Sequence, residues 1–506
     1  MRALLIYPDL QVHVNYPIGL GIISALLQKQ GHETRVLHFN EEVGNPLDLG
    51  VLERHIAEFE PQLVAFSSVS NQFRYVKEMA EFIKGKWDVP ILLGGIHATI
   101  APQKVLALDY IDMICVGEGE LALIELLEKL EKGEDCSDIQ NIGLKHNGSI
   151  KVNPVRPLID LPTFNELPFP DRKGFNFGKI VDNKQGWANL MAGRGCLFQC
   201  TYCVNHFFHN MYAQHHKRKD NLRYRDVDVV VREIEEMVAS YPNIRLINID
   251  DDNVTLNKPW LEEFCDEFVR RIGKPFSCNV HPATFDEKIA RKLADAGCVE
   301  TKIGLESGSD RLRREVLKRP MEEEVIIKAF KHAEEAGIRA WSFNMVGLPT
   351  ETKEEILMTA GLNAKIRPYI VRCSVFFPFE GTDLYNYSIE NKLIQEEKIE
   401  TVSSYLEDSV LEMPQISRDE IVKSKTLFRW HVDAQSDIEA ASLFRDLIKA
   451  FERLPVEAWR SGEAQKLFEQ VDASVDRMLR EAKMDHYTTR HHLNLNFTAK
   501  LNFELP

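Results

Sequence analysis

Three cysteines are spaced as the ligands of one metal centre would be. Cys196, Cys200 and Cys203 lie on one short stretch of chain, and thiolates this close together can converge on a zinc ion or an iron–sulfur cluster. A structural zinc ion takes four ligands, and no fourth Cys or His completes a usual spacing, although His206 is near enough to serve. An iron–sulfur cube held by three cysteines leaves one iron open to a small molecule. The spacing therefore favours a cluster with an open iron over a zinc knot.

The cysteine loop needs a rigid support, and the chain around it alternates short apolar runs with helical patterns. Six runs are typical of strands, and the loop follows the first of them: 187–191, 245–249, 276–280, 299–305, 340–346 and 371–375. Amphipathic patterns separate most of them, as at 227–240, 259–272 and 322–336. This order predicts a full or partial β/α barrel, in which chemistry collects at the carboxyl ends of the strands.

Polar residues and glycines follow several of these strands. The run Asp250-Asp251-Asp252 comes after the second strand, Glu306-Ser307 after the fourth and Gly347 after the fifth. Each is ambiguous by itself, because a solvated turn or a helix cap would use the same residue types. Thr350, for example, is predicted to cap the next helix, with Glu351 in its first turn.

The first 130 or so residues show a second β-then-α series, whose continuous apolar runs predict a parallel sheet buried on both faces. Such a doubly wound sheet binds its ligand beyond the carboxyl ends of its strands. Glycines and small hydroxyl residues lie at that edge, namely Gly19, Ser67, Ser68, Ser70, Gly94, Gly95, Gly117 and Gly119. The sequence therefore predicts an α/β fold with a second ligand site near its N-terminus.

Four segments are predicted from these patterns. They are a doubly wound domain at 1–140, a linker at 141–185 with a hairpin turn at Asn147-Gly148 and five prolines, a partial barrel at 186–390, and a mainly helical region at 391–506. Within the last segment, one helix is predicted from 418 to 432.

The composition excludes several classes of protein. The formal net charge of -15 argues against a protein that coats nucleic acid. No apolar run approaches the roughly 20 residues that span a bilayer. The chain has nine cysteines, an odd number over 506 residues, which does not suit a disulfide scaffold. A reducing, cytoplasmic location is therefore expected.

The cysteine loop resembles the Cys-x3-Cys-x2-Cys signature of the radical S-adenosylmethionine (SAM) superfamily, with Tyr202 as the aromatic residue before the last cysteine. The resemblance implies that Cys196, Cys200 and Cys203 hold a catalytic [4Fe–4S] cluster. Its open iron would bind SAM, and one-electron reduction would give a 5′-deoxyadenosyl radical. The resemblance also assigns SAM contacts to a set of residues after the strands: Tyr202, Asp250, Asp251, Asp252, Glu306, Ser307 and Gly347.

The N-terminal series is similar to the cobalamin-binding domain of one subgroup of this superfamily. The similarity rests on the motifs at 17–20, 66–70, 94–99 and 116–120, and it assigns cobalamin contacts to Gly19, Ser67, Ser68, Ser70, Gly94, Gly95, His97, Gly117, Glu118 and Gly119. The Asp-x-His-x-x-Gly motif that places a histidine on cobalt in corrinoid mutases is absent, because Asp9 and His13 are four apart. Cobalt without a histidine from that motif is therefore expected, and His97 is expected to line the nucleotide tail or cap a helix.

The resemblance implies a cobalamin-dependent radical SAM enzyme that methylates an unactivated carbon of a small-molecule or lipid substrate through methylcobalamin and the 5′-deoxyadenosyl radical. A one-electron reductant such as flavodoxin or ferredoxin would be its partner, with no nucleic acid. Two alternatives stay open: an oxidative cyclase or rearrangement enzyme of the anaerobic porphyrin cyclase type, and a corrinoid-binding carrier or sensor.

Overall fold

The computed structural model describes residues 1–146, 148–394, 399 and 408–484. Two compact units are distinguished: the first comprises residues 1–197 and 207–245, and the second comprises residues 198–206 and those from 246 onward. The cysteine loop contributes to both, with Cys196 in the first unit and Cys200 and Cys203 in the second. The finer division into four segments stays a prediction.

A seven-stranded sheet forms the centre of the first unit. Its strands are β1 (Arg2–Pro8), β2 (Glu33–Phe39), β3 (Leu63–Ser67), β4 (Ile91–Gly94), β5 (Met113–Cys115), β6 (Ile142–His146) and β7 (Ser149–Val152). They lie in the order β2-β1-β3-β4-β5-β6-β7, and β1 to β5 are parallel. The order 2-1-3-4-5 is that of a doubly wound sheet with its switch point between β1 and β3, where such folds bind ligands.

Six helices connect these strands: α1 (Ile18–Lys29), α2 (Leu49–Phe59), α3 (Phe73–Lys84), α4 (Ile96–Ile100), α5 (Pro102–Leu106) and α6 (Glu120–Lys132). The side chains of Ala3, Leu4, Leu5 and Ile6 are all fully buried. Because successive strand residues point to opposite faces, both faces of the sheet are covered. The predicted doubly wound parallel sheet is confirmed.

The linker keeps its predicted hairpin, in which His146 of β6 pairs with Ser149 of β7; Asn147 lies outside the described residues. The proline-rich stretch contains only the short helices α7 (Leu161–Glu166) and α8 (Phe177–Asn183). The rest of the first unit contributes β8 (Trp187–Leu190), β9 (Gly193–Arg194), β10 (Arg223–Tyr224), most of α9 (Val204–Tyr212), and α10 (Val227–Ser240).

Five parallel strands run through the second unit: β11 (Leu246–Ile249), β12 (Phe276–Val280), β13 (Cys298–Glu306), β14 (Arg339–Val346) and β15 (Ile370–Val375). Each is hydrogen-bonded to the next in chain order. The helices among and after them are α11 (Lys258–Arg271), α12 (Glu287–Asp295), α13 (Glu323–Glu335), α14 (Lys353–Ile366) and α15 (Asp383–Glu390). All six predicted strands are present, with β8 in the first unit, and the predicted partial barrel is confirmed.

The C-terminal region is helical, as predicted, with α16 (Arg418–Thr426), α17 (Phe428–Gln435), α18 (Ala441–Glu452), α19 (Val456–Arg460) and α20 (Glu463–Glu481). The single helix predicted over 418–432 is wrong, because two helices meet at Leu427. Trp430 is fully buried and donates from Nε1 to Asp472 at 2.8 Å. Within the described residues, no helix combines the length and the apolar composition that crossing a membrane requires.

Candidate functional site

The cysteine loop begins at a position that only glycine fits. Gly195 has φ +90°, and a Cβ there would lie 2.0 Å from the Asn221 carbonyl oxygen. None of the three loop cysteines forms a disulfide; Cys200 is buried, and Cys196 and Cys203 are half-buried. Among the described residues, no three His, Cys, Asp or Glu side chains are grouped as ligands of one metal ion. The thiol donors suit an iron–sulfur cube, which distributes its cysteines over different irons.

Within the second unit, Cys200 is tied to the segment that follows β13. The Arg319 guanidinium donates from Nη1 to the Cys200 sulfur at 3.7 Å and from Nη2 to the Gly304 carbonyl at 2.8 Å. The backbone N–H of Thr201 donates to the Leu317 carbonyl at 3.1 Å. The loop is therefore held by several hydrogen bonds to one neighbouring segment.

Glu306 ends β13 in a conformation that is unusual for a residue with a side chain. Its φ is +66°, and the pairing of β13 with β14 shifts register between Gly304 and Glu306. Its carboxyl group is hydrogen-bonded to Tyr202 of the cysteine loop. Burial raises the pKa of Glu306, while the positive charge of Arg319 and the bond to Tyr202 partly offset this. A strained residue held against the cysteine loop is typical of a functional site.

The three aspartates after β11 lie in different environments. Asp250 accepts a hydrogen bond from the Asn248 amide. Asp251 is buried, and its backbone carbonyl accepts from Asn279 Nδ2 at 2.8 Å. Asp252 is exposed and hydrogen-bonds Asn205, in the helix that follows the cysteines. Asp252 is thereby linked to the segment next to the cysteine loop.

Two other predicted SAM contacts are engaged inside the protein. Ser307 is fully buried, and its hydroxyl oxygen accepts from the Ser309 N–H at 3.2 Å. Gly347 has φ +77°, and its N–H donates to the Glu351 carboxyl oxygen Oε2 at 2.5 Å. Direct contacts of both residues with SAM stay predictions.

The helix cap predicted at Thr350 is wrong. Thr352 caps α14, in a capping box with Glu355, whereas Thr350 has φ +67°. Glu351 precedes the cap and lies outside the helix, and its carboxyl group accepts from the N–H groups of Gly347 and Leu348. Glu351 is fully buried, and its other oxygen, Oε1, has no hydrogen-bond partner among the described residues. Burial outweighs the two backbone hydrogen bonds and raises the pKa of Glu351 to about 8.

The raised pKa of Glu351 predicts a pH-dependent stability. Because the pKa of Glu351 is higher in the folded protein than in the unfolded chain, its protonation stabilises the folded protein fully only at a pH below the unfolded-state pKa. This stabilisation is lost progressively as the pH rises to about 8. Relative to Glu351→Gln, the wild-type protein should therefore lose about 2 kcal/mol of unfolding free energy between pH 6 and pH 8. Urea unfolding of both proteins at each pH measures this, and parallel pH profiles would contradict it.

His281, at the carboxyl end of β12, was missed from the sequence. Its ring stacks on Phe198 of the cysteine loop with centroids 3.7 Å apart. Nδ1 accepts from the Ala283 N–H, which leaves the proton on Nε2, and Nε2 is buried with no hydrogen-bond partner among the described residues. Burial and the charge of Arg319 lower the pKa of His281 to about 2, so the ring is neutral. In the sequence, the only signal that His281 belongs to the site is its position directly after a predicted strand.

In the first unit, the predicted cobalamin residues after β3 and β4 lie together. Gly95 has φ +88°, and a Cβ there would lie 2.8 Å from the Ser68 carbonyl oxygen and 3.0 Å from the Ser67 hydroxyl, so the two turns pack at backbone distance. The carbonyl of Gly94 accepts from the Ser68 N–H at 3.2 Å. This close packing lies at the strand ends beside the switch point of the sheet.

His97 belongs to the same group of residues. Its Nδ1 is hydrogen-bonded to the Ser70 hydroxyl at 3.1 Å, and its ring lies 4.0 Å from the ring of Phe73. Gly19, at the start of α1, has no atom within 4 Å of the position of a Cβ.

Asp9 and His13 do not pair with each other: Asp9 accepts from the Asn15 N–H, and His13 is hydrogen-bonded to Glu42. His13 is therefore held by a carboxylate other than Asp9.

The loop after β5 has a role that the sequence did not reveal. A Cβ on Gly117 would lie 2.1 Å from the Tyr212 hydroxyl, and Gly119 directly precedes α6. Between them, Glu118 accepts from Arg194 at 2.9 Å and from Arg223 at 2.7 and 3.2 Å. Burial would raise the pKa of Glu118, but the two guanidinium groups lower it to about 2. Both oxygens are thus occupied, and a contact of Glu118 with cobalamin stays a prediction.

This network leads to a stability prediction. Glu118→Ala removes the carboxylate that two largely buried guanidinium groups share, although Arg194 keeps Glu120, and should cost about 3 kcal/mol of unfolding free energy. The matched control is Glu53→Ala, which removes a half-exposed partner of Lys86 and should cost about 0–1 kcal/mol. Equal losses in chemical denaturation would refute the buried network. Because Arg194 lies two residues before Cys196, the network also anchors the start of the cysteine loop.

Comparison with known proteins defines the class. A model of the radical SAM superfamily matches residues 190–362, and a model of the B12-binding domain matches residues 12–127. The chain therefore carries a radical SAM domain and a B12-binding domain, as the resemblance predicted. The cofactors of such a protein are a [4Fe–4S] cluster, SAM and cobalamin.

Individual relatives show how far the likeness extends. An uncharacterized methyltransferase of Pyrococcus horikoshii is 26% identical over 404 residues, which are 78% of this chain and 84% of the relative. An anaerobic magnesium-protoporphyrin IX monomethyl ester cyclase of Rubrivivax gelatinosus is 25% identical, covering 76% of this chain and 69% of the cyclase. The solved structure of the radical SAM methyltransferase TsrM from Kitasatospora setae, with cobalamin and a [4Fe–4S] cluster bound, shares the fold with a TM-score of 0.64, 19% identity and coverage of 77% of this chain and 75% of TsrM.

Proposed function

We propose that this enzyme methylates an unactivated carbon of a small-molecule substrate, using cobalamin and SAM. The observation that carries the proposal is the second unit's site, where Arg319 donates to the loop cysteine Cys200 and Tyr202 of the same loop is hydrogen-bonded to Glu306. The relative of Pyrococcus horikoshii that covers most of this chain is a methyltransferase by name, which supports the type of reaction. The doubly wound sheet of the first unit adds the fold that B12-binding domains use.

In this proposal, Cys196, Cys200 and Cys203 are the cluster ligands. When bound, the cluster would supply the one-electron cleavage of SAM, and cobalamin would supply the transferable methyl group. The Glu306 carboxyl group, fixed by Tyr202, would accept hydrogen bonds from the ribose hydroxyls of SAM, because a carboxylate can accept two at once. Asp252 and Asp250 are the proposed partners of the SAM ammonium group.

The proposed cobalamin site is the edge formed by the turns after β3 and β4. Ser67, Ser68 and Ser70 carry hydroxyl groups there, and the backbone of Gly94 and Gly95 is proposed to approach the nucleotide tail closely. His97 would line the tail, since its Nδ1 is already hydrogen-bonded to Ser70. No protein histidine from an Asp-x-His-x-x-Gly motif would reach cobalt.

The proposed substrate surface is the face of β14 that carries Trp341 and Phe343. The two rings stack with centroids 6.5 Å apart, and the Arg372 guanidinium lies 5.4 Å from the Trp341 centroid. Phe343 is 37% exposed although its strand is flanked on both sides, and central strands of parallel sheets are usually covered. The exposed ring of Phe343, paired in register with Arg372 whose guanidinium lies over the buried Trp341, suits a small molecule with a planar or anionic group.

Oxidative cyclisation is the second candidate, favoured by the similarity to the cyclase of Rubrivivax gelatinosus. A corrinoid carrier or sensor is the alternative from another class, and a carrier would not need the cysteine loop.

Metal analysis of anaerobically purified protein tests the proposal against the carrier. We expect about four iron atoms and about one cobalt atom per chain, and SAM-dependent formation of 5′-deoxyadenosine after addition of a reductant such as flavodoxin or ferredoxin. Cobalt without iron would reject the enzyme and leave the carrier.

A further inference from the structure

The side chain of Arg319 is buried with an incomplete set of hydrogen-bond acceptors. Nη1 donates to the Cys200 sulfur at 3.7 Å and Nη2 to the Gly304 carbonyl at 2.8 Å. Nε is buried and has no hydrogen-bond partner among the described residues. A guanidinium group carries five N–H donors and is costly to bury unless anionic groups surround it. Its position beside a cysteine sulfur therefore fits a site that holds a thiolate-bound, negatively charged group.

The backbone around β13 fixes the guanidinium in this place. Gly304, whose carbonyl accepts from Nη2, has no side chain, and a Cβ there would lie 3.1 Å from Nη2 and 2.3 Å from the Glu306 Oε1. The glycine thus leaves the space that both charged groups occupy. Because the Gly304 carbonyl already fixes the planar guanidinium group, the hydrogen bond from Nη1 to the Cys200 sulfur costs little additional side-chain entropy.

We propose that Arg319 raises the reduction potential of the cluster by donating a charge-assisted hydrogen bond to the sulfur of Cys200. Reduction adds one electron from the external one-electron reductant to the cluster, and no bond is formed or broken. The reduced form carries more negative charge, so a fixed cation beside a ligand sulfur stabilises it more than the oxidised form. Arg319 is a positioning residue in this role, because it acts through Cys200. The inference rests on the proposed assignment of Cys200 as a cluster ligand.

The test is the midpoint potential of the anaerobically reconstituted protein, followed by electron paramagnetic resonance during a redox titration. In Arg319→Gln, the ratio of reduced to oxidised cluster at a given applied potential should fall about tenfold, which is a midpoint shift of about 59 mV to more negative values for one electron. Arg319→Met, which also removes the charge, should give the same shift. Arg319→Lys retains the charge and should restore most of the wild-type potential.

A matched control removes a positive charge at the surface of the same segment. Arg314 is half-exposed and pairs with Asp310 and Glu322, so its two carboxylate partners, water and salt screen its charge from the cluster. Arg314→Gln should therefore have the wild-type midpoint potential. A shift in this control as large as that in Arg319→Gln would overturn the inference, because any nearby charge would then have the same effect.

The remaining outcomes also decide the question. If Arg319→Gln does not assemble the cluster, the midpoint potential of Arg319→Met tests the inference instead, with the same expected shift to more negative values. A wild-type midpoint in a cluster-loaded neutral variant, or failure of both neutral variants to hold the cluster, would overturn the inference. If Cys200→Ala keeps its cluster, the proposed assignment of Cys200 as a cluster ligand is wrong. If Cys200→Ala loses its cluster but Arg319→Gln has the wild-type midpoint potential, that assignment stands and only the role inferred for Arg319 is wrong. Neither measurement needs a substrate.

Discussion

Replacing Cys200 by alanine is expected to remove the iron–sulfur cluster, and with it all detectable formation of 5′-deoxyadenosine from SAM. Cys200 is the buried member of the three loop cysteines, and it receives the hydrogen bond from Arg319. Without this thiolate only two ligands of the loop would remain, which is too few to hold a site-differentiated cube. Iron content and the resonance of the reduced cluster measure the first effect, and mass spectrometry of the nucleoside products measures the second.

The matched control for this variant is Cys136→Ala. Cys136 is also a free, buried thiol, but it lies in the first unit outside the cysteine loop. It should retain its iron and its nucleoside product. Iron content in Cys200→Ala equal to that of the control would show that the cysteine loop does not hold the cluster.

The second large effect is expected for Glu306→Ala. Its carboxyl group is fixed by Tyr202 and by the irregular backbone at the end of β13. Loss of the proposed ribose acceptor would misplace the nucleoside, and a displacement of about 1 Å can cost about 100-fold in rate. We therefore expect 5′-deoxyadenosine formation to fall about 100-fold, while the cobalamin content stays at the wild-type level.

Glu315→Ala provides the comparison for Glu306→Ala, because Glu315 is an exposed carboxylate in the segment after β13. It should leave the rate of nucleoside formation unchanged. If Glu306→Ala and Glu315→Ala had the same rate, Glu306 would have no part in SAM binding. If Glu306→Ala lost cobalamin as well, the defect would be one of folding.

The sequence predicted those parts of the fold that local patterns specify. Apolar runs of strand length marked all six strands of the barrel region, and paired glycines marked the turns beside the switch point of the first sheet. The cap of α14 was misplaced by two residues, although the capping-box pattern favours Thr352, which has Glu355 three residues later, over Thr350, which has Lys353 there. The turn of the Glu351 carboxyl group back toward the Gly347 N–H was not indicated by the sequence, because it depends on burial in the folded protein.

Contacts between distant residues were beyond the sequence. Arg319 lies 119 residues from Cys200, and Arg223 lies 105 residues from Glu118. Nothing in the local pattern near Arg319 indicates a sulfur as its partner. Glu118 shows the same limit, since its motif indicated a cofactor contact, whereas nothing in the motif indicated that Arg194 and Arg223 would donate to its carboxyl oxygens. A motif specifies the residue types, whereas the fold determines which partner each one meets.

The most direct test of the proposed methyl transfer is to count the two nucleoside products of SAM in the same reaction. Methylation of carbon consumes two SAM molecules per product, because the one that donates its methyl group cannot also be cleaved to the nucleoside radical. The anaerobically reduced enzyme, supplied with a substrate and with SAM labelled in its methyl group, should yield S-adenosylhomocysteine and 5′-deoxyadenosine in equal amounts, with the label in the product. Formation of 5′-deoxyadenosine and an unlabelled product, with no S-adenosylhomocysteine, would contradict methyl transfer and favour oxidative cyclisation.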